Sequence, residues 1–345
     1  MCVYSTYRCS YHVDRAQKIR RNPIVKPSGY KRTCVSGKSI KKCHRVGLSF
    51  TALMHSLPTV PRKPMSISRF FCLFTCLHAL LVTPSANAWW QAGHTAICDL
   101  ALRSVTPSVR AQMEQLLTEP FSEACSWADD IRPERPDTSP WHYINSTPEL
   151  LSFREHSRPE QGDILTAIHR QSELLQQSKD PNQRAEALRW LGHLVGDLHQ
   201  PMHVAFENDW GGNRYQLALS PELRKRLDED RPVVNMHAVW DGLILRYAVA
   251  KSGKSIAQLI AGTDVEPLGD AITWADEGLA LLREPGLHYW PGTRLETLSE
   301  DYIAAHQELI LQRLTLAGLR LAKLLNALMD DSTKHHGASD ESSSH

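Results

Sequence analysis

Residues 192–203 read Gly-His-Leu-Val-Gly-Asp-Leu-His-Gln-Pro-Met-His (GHLVGDLHQPMH), and their spacing sets the architecture. His193 and Asp197 are four residues apart, which places them about 40° apart around a helix that turns roughly 100° per residue. Leu188, Leu191, Val195 and Leu198 step by 3, 4 and 3 and gather on the opposite side of that helix. The His/Asp pair therefore stands clear of the apolar stripe, where a purely structural histidine is expected. Asp180-Pro181-Asn182 marks the start of the helix, and Pro201 disfavours helix at Gln200. The helix should end there, and the chain can turn His203 back towards the same place.

Helical periodicity continues outward from this segment. Ile303, Ile310, Leu314, Ala317, Leu321, Leu324 and Leu328 form one long amphipathic stripe, and shorter helical patterns cover roughly 94–118, 122–131, 163–177, 235–249 and 267–283. Strand signal is thin: only Asn213 to Leu219, after Gly211-Gly212, alternates well enough to predict a small hairpin. The pattern predicts an all-α, single multi-helix domain over residues 89–329. A polar tail, DDSTKHHGASDESSSH, follows over 330–345 and should be disordered.

The formal net charge of +1 averages two unlike pieces. Residues 1–88 hold 15 Lys and Arg against a single acid, Asp14, whereas residues 89–345 hold 24 basic and 37 acidic side chains, a charge of −13. The first piece also has six of the eight cysteines, and the second has all nine tryptophans. Phe70 to Val82 is the longest apolar run; at 13 residues it is too short for a span that needs ~20. Arg69 precedes it and Ala86-Asn87-Ala88 follows, giving the basic, apolar and small-residue regions of a secretion signal over 65–88, with Trp89 as the first mature residue. Residues 1–64 read as a basic leader extension, either translated upstream sequence with Met65 as the true start or a transit stretch; a nucleic-acid arm ranks last, since cleavage would discard it. Export to a periplasm or the medium follows, with no stable membrane insertion after processing. Cys98 and Cys125 remain and could pair in an oxidising compartment.

Several other histidines and aspartates stand at ligand spacing. His237 and Asp241 repeat the i, i+4 pattern within NMHAVWD, Asp129 and Asp130 lie in SWADDIR, His142 in PWHYIN, and His94 five residues after Trp89. Imidazole with carboxylate suits zinc, and the absence of cysteine ligands argues against a structural zinc ribbon. A single His/Asp pair is most often a helix-surface hydrogen bond; two pairs and a third His delivered by a proline-ended helix shift the balance towards a metal site. Taken alone, Asp129 and Asp130 read as a solvated helix end and Arg132 as an ordinary surface charge, and His199 reads as core or packing behind the site. His156, His169, His288 and His306 read as ordinary surface residues, and the tail histidines need no function.

In that order, WWQAGH, SWADDIR, PWHYIN, GHLVGDLHQPMH, DWGGN and NMHAVWD resemble the zinc-dependent single-strand-specific nucleases of fungi and plants. These belong with zinc phospholipase C in a superfamily of all-α phosphodiesterases that bind three zinc ions. The resemblance runs from Trp89 to about Leu328. It implies one ion held by Asp129, His142 and His193, with Asp197 bridging to a second held by His94 and by the α-amino group and carbonyl of Trp89. His203, His237 and Asp241 would hold the third.

The resemblance further implies in-line attack on phosphorus by a metal-activated water, with Asp129, Arg132 and Asp197 as the catalytic residues. Arg132 would bind phosphate, and Tyr143 would stack on a base. Asn145 and Asn213 would complete the substrate site. Asn145 stands where fungal members have an Asp, and Trp210 where a basic residue is common. The implied substrates are single-stranded DNA and RNA, cut to 5′-phosphorylated products, and 3′-nucleotides, taken by a monomer. The −13 body offers no broad basic footprint for long polyanions, so the grip should be local. A zinc phospholipase C on the same scaffold is the enzyme alternative, and an exported zinc-buffering helical protein the non-enzyme one. Arg132, Tyr143 and the Gly-Gly-Asn segment favour the nuclease.

Overall fold

The computed structural model of the protein describes residues 89–261 and 265–330. The expected leader extension (1–64), signal peptide (65–88) and tail beyond Asp330 lie outside the described residues. α-Helices of seven or more residues are α1 (Trp90–Ser104), α2 (Pro107–Leu116), α3 (Ile164–Gln177), α4 (Pro181–Leu198), α5 (Pro221–Leu227), α6 (Ile244–Ser252), α7 (Ala271–Leu281) and α8 (Gln307–Met329). The architecture is the all-α one expected, with a small sheet at its side. Among the described residues no helix is long and apolar enough to cross a membrane.

Helix α4 begins where the sequence says it should. The Asp180 side chain accepts from Asn182 N and Pro181 occupies the first turn, where its missing N–H costs nothing. The helix runs through the middle of the domain, touching α1, α2, α3, α7 and α8. Every residue from Leu188 to Leu198 except Arg189 is buried. That alters one sequence expectation: the His193/Asp197 side does lie away from the leucine side, but it faces other buried polar groups rather than water. Gly192 and Gly196 make this packing possible. A Cβ at Gly192 would come within 2.5 Å of Cys125 Sγ, and one at Gly196 within 2.9 Å of His94 Nδ1. Cys98 on α1 and Cys125 are joined as a disulfide across 27 residues, a closure worth about 3–4 kcal/mol on loop-entropy grounds.

The long C-terminal stripe is interrupted. Glu300–Ala305 forms a separate short helix, and α8 restarts at Gln307 after His306. His306 is buried, with Nδ1 donating to Tyr302 O at 2.7 Å, so it is not the surface residue its sequence context indicated. Leu325 and Met329 take the fully buried positions near the end of α8, while Leu324 and Leu328 pack at its margin. The strand expected at 213–219 narrows to β1 (Gln216–Leu219). It pairs antiparallel with β2 (Val233–Asn235) across the intervening α5, and parallel with β3 (Thr297–Leu298) from the far end of the chain. The sheet therefore has three strands in the order β2-β1-β3, one more than a hairpin.

Beneath α4 lies a charged cluster that periodicity alone conceals, because its members occupy core positions. Arg313 and Arg320 on α8 are 3% exposed and both donate to Glu277 on α7. Arg313 Nε also donates to His199 O at 2.9 Å, and Arg320 Nη1 lies 3.0 Å from His199 Nε2. His199 Nδ1–H donates to Val195 O, so Nε2 is left as the acceptor. Burial and then the Arg313 and Arg320 charges hold its pKa well below the usual histidine value, which keeps the ring neutral.

Burial raises the Glu277 pKa, but the hydrogen bonds from Arg320 and Arg313 outweigh it and leave the carboxyl below its ordinary range. A carboxylate depressed on folding stabilises the fold above its unfolded pKa, near 4.5, and that contribution is lost as pH falls through the folded value. Glu277→Ala would strand two buried guanidiniums and should cost about 3 kcal/mol. Denaturant titration at pH 7 and pH 4 checks both statements, and the gap between wild type and variant should shrink at the lower pH.

Candidate metal centre

Five chain segments converge on the buried side of α4. His94 comes from the first turns of α1, Asp129 from the short helix Trp127–Asp130, and His142 from the end of the 3-10 turn Pro136–His142. After Leu198 the chain leaves α4 with Gln200 N donating to Asp197 O. The 3-10 turn Pro201–Val204 then swings His203 towards Asp197, with Nδ1 3.8 Å from its Oδ2. The proline thus does what its position predicted. His237 opens the next helical stretch, capped by Asn235, whose side chain accepts from Ala238 N at 2.7 Å. Asp241 falls in a π-helical turn, Val239–Leu243, a local widening often found at functional sites.

The side chains form three groups in which one ligand atom from each member lies within 4.8 Å of the others: His94, His193 and Asp197; Asp129, His142 and His193; His203, His237 and Asp241. Every side chain that the sequence reading assigned to metal is in one of them. Trp89, the remaining residue of that set, is fully buried, and its indole Nε1 donates to Gly196 O at 2.6 Å, one residue before Asp197.

The donor chemistry fits divalent cations. His193 Nε2, His142 Nδ1 and Asp197 Oδ2 are mutually 3.0 Å apart, and Asp129 Oδ1 lies 3.7 and 3.8 Å from the two nitrogens. Donor atoms 2.0–2.1 Å from a tetrahedral zinc would be about 3.3 Å from one another. The histidines are also set in a suitable tautomer. His193 Nδ1 donates to Cys125 O, His203 Nδ1 to His142 O and His237 Nδ1 to Gly211 O, at 2.8, 2.5 and 2.7 Å. A carbonyl can only accept, so in each ring the other nitrogen, Nε2, is left with a free lone pair. Of the twelve buried side-chain atoms without a hydrogen-bond partner among the described residues, six fall on the groups themselves: both nitrogens of His94, His142 Nε2, Asp197 Oδ1, His203 Nε2 and Asp241 Oδ2. Buried orphans of this kind are costly unless something supplies their partner.

The field in the site favours positive charge. Burial alone would lower the His193 pKa, yet Asp197 and then Asp129 raise it to about 9. Burial would raise the pKa of Asp197, yet His193 and His203 hold it well below the carboxylate range. Burial pushes Asp241 up to about 7 despite His237 and a 2.6 Å hydrogen bond from Gln200 Nε2. His142 and His203 are lowered chiefly by burial, to about 4 and about 3. The field of Asp197 and Asp129 thus already holds one positive charge, the His193 proton, at the place a cation would take.

A cavity of about 410 Å³ opens over these groups, bordered by Arg132, His142, Tyr143, Asn145, Trp210, Asn213 and His237. Arg132 donates to Asp129 Oδ1, the oxygen that also faces His142 and His193. Tyr143 and Asn145 reach the cavity for a reason that reading by motif missed. Residues 143–146 run extended beside 203–206, with Ile144 N donating to His203 O and Ser146 N to Ala205 O. A period of two then turns Tyr143 and Asn145 outward, and Ile144 and Ser146 inward, where both are buried. Asn213 is half-buried and its Nδ2 donates to Trp210 O, so it shapes the loop as well as bordering the cavity.

Gln200 also went unread as a site residue. It caps the turn at Met202 N and fixes Asp241, and its signal was its place between a helix end and Pro201. Asp209, quoted only within DWGGN, is buried with Oδ1 accepting from Gly212 N and from Tyr289 OH, and it pairs with Arg294. It anchors the loop that carries Trp210.

The family model described as S1/P1 Nuclease matches residues 89–330. The chain is 27% identical to Endonuclease 2 of Arabidopsis thaliana over 285 residues, covering 72% of this chain and 93% of that one. It is 28% identical to Endonuclease 1 of the same plant over 286 residues (72% and 89%), and 23% identical to Nuclease S1 of Aspergillus oryzae over 277 residues (70% and 91%).

Proposed function

This chain belongs to the S1/P1 nuclease family, and from that premise we propose that it is an exported, zinc-dependent phosphodiesterase. It cuts single-stranded DNA and RNA to 5′-phosphorylated products and removes phosphate from 3′-nucleotides. The observation that carries the reading is the coincidence of three His/Asp groups with orphaned buried donors under a cavity bordered by an arginine and an exposed tyrosine. Asp129, His142 and His193 would hold one ion, His94 and the Trp89 terminus a second, with Asp197 shared between them, and His203, His237 and Asp241 would hold a third. Zinc in such a site supplies Lewis acidity and brings the pKa of water towards neutrality.

The protein's own groups do the rest. The backbone carbonyls of Cys125, His142 and Gly211 fix the imidazole tautomers, and Gln200 fixes Asp241. Arg132, steered by Asp129, points its guanidinium at the phosphate and offsets charge that grows on it during displacement. Tyr143, 40% exposed, stacks on one unpaired base, and Asn145 on the same face meets its edge. A paired base would have to leave its duplex to reach that ring, which gives the preference for single strands.

Tyr143→Ala should raise KM for single-stranded substrate by about 5- to 100-fold, the worth of one stacked base, while kcat and zinc content stay near wild type. Steady-state kinetics with metal analysis checks this, and an unchanged KM would remove Tyr143 from the substrate site. Export is tested by the N-terminus of the protein recovered outside the cytoplasm, expected at Trp89.

A further inference from the structure

Trp210 is 62% exposed, whereas the other eight tryptophans are buried or half-buried. Folding gains little from an indole left in water, so its position calls for a task. Its backbone is left-handed, with φ 56° and ψ 48°, a conformation that bulky residues rarely adopt. The loop holds it there: Trp210 N donates to Glu207 O, Gly211 N to Phe206 O and Asn213 Nδ2 to Trp210 O. Asp209 locks the same loop from within, and Gly211 O accepts a hydrogen bond from His237 Nδ1. The ring is therefore fixed relative to the third His/Asp group and borders the same cavity as Tyr143. The Arg214 guanidinium lies 3.7 Å from the indole centroid. It holds the ring plane and brings positive charge to the rim of an otherwise acidic body.

We propose that Trp210, backed by Arg214, is the stacking platform for a second nucleobase, that of the nucleotide adjoining the one held at Tyr143. The site would then grip two successive bases across the scissile phosphate. This rests on the nuclease reading above and adds to it a substrate length: a dinucleotide or longer strand gains a contact that a mononucleotide lacks. Stacking on an indole is tolerant of sequence, because every base presents a π-face.

The test compares wild type, Trp210→Ala, Trp210→Phe and Arg214→Ala on three substrates: a 3′-mononucleotide, a dinucleoside monophosphate and a single-stranded oligonucleotide. Zinc content is measured for each protein. Trp210→Ala should raise KM for the dinucleotide and the oligonucleotide by about 5- to 100-fold with kcat retained, and leave KM for the mononucleotide in place. Trp210→Phe should recover most of the loss, and Arg214→Ala should fall between.

An equal rise on the mononucleotide, or no change on the dinucleotide, would overturn the proposal. So would loss of zinc in the Phe variant, which would make Trp210 a strut for His237. The nuclease reading fails separately, if zinc-loaded wild type cleaves none of the three. Phosphatidylcholine vesicles hydrolysed by wild type and spared by Trp210→Ala would then make the indole a lipid dock and likewise overturn the proposal.

Discussion

Asp197→Asn should reduce hydrolysis of single-stranded DNA by at least about 10³-fold and lower the zinc content by more than one ion per chain. Its Oδ2 lies 3.0 Å from both His142 Nδ1 and His193 Nε2, and its Oδ1 3.3 Å from His94 Nε2, so one carboxylate faces two of the three groups. An amide keeps the shape and removes the charge that would balance two cations. Losing ~4 kcal/mol of Lewis-acid assistance corresponds to about three decades in rate. Because Asp197 is fully buried on the central helix, a folding defect has to be separated from a metal defect. Circular dichroism should show native helix content in the variant, with metal analysis showing the deficit. Wild-type zinc content in an inactive, folded variant would contradict the bridging assignment.

The second large effect concerns the N-terminus. A free α-amine has a pKa of about 7.7–8.0 and can give up its proton to a metal near neutral pH, whereas a peptide nitrogen has no such lone pair. If Trp89 is a ligand through its amine, a protein bearing even one residue ahead of it should lose one zinc ion and most of its activity, roughly 10²-fold or more. The Trp89 ring is anchored by its hydrogen bond to Gly196 O, close to Asp197, and Trp89 O accepts from Gly93 N within the first turn of α1. Removing the extra residue with a protease should restore both zinc and rate. Full activity in the extended protein would show that the terminus plays no such part, and that signal removal does not switch the enzyme on.

Much of this was readable in the chain because local spacing carried it. Helical geometry alone paired His193 with Asp197 and His237 with Asp241, and the proline that ends α4 turned His203 towards the first pair. The predominance of helix followed from the apolar stripes, but the helix count did not: the 94–118 and 303–328 patterns each split in two, and α5 lay outside every pattern. Less local features escaped. The outward turn of Tyr143 and Asn145 depends on residues 143–146 lying along 203–206, which no periodicity of either segment announces. The third strand, β3, joins β1 from about eighty residues away.

Arg313, Arg320 and Glu277 were invisible for a different reason. Charged residues on an amphipathic helix ordinarily face water, and only the tertiary fold shows two of these guanidiniums buried against His199. His306 was misread as surface for the same cause: its burial comes from packing against Tyr302 and Trp240, not from a carboxylate at ligand spacing.

The charge pattern and the site together explain how an acidic protein can handle a polyanion. With −13 over residues 89–345, long-range attraction for nucleic acid is absent. Arg132 borders the cavity beside the His/Asp groups, and Arg214 backs Trp210 at its rim. Binding should therefore be short in footprint and only weakly dependent on salt, unlike that of proteins that neutralise many phosphates.

The most direct measurement is the zinc content of purified protein beginning at Trp89, followed by release of acid-soluble nucleotides from denatured DNA with and without a chelator. Three zinc ions per chain and hydrolysis that stops with chelation and returns with zinc are expected. Hydrolysis that persists after the metal has been stripped, or its absence from protein carrying all three ions, would contradict the assignment.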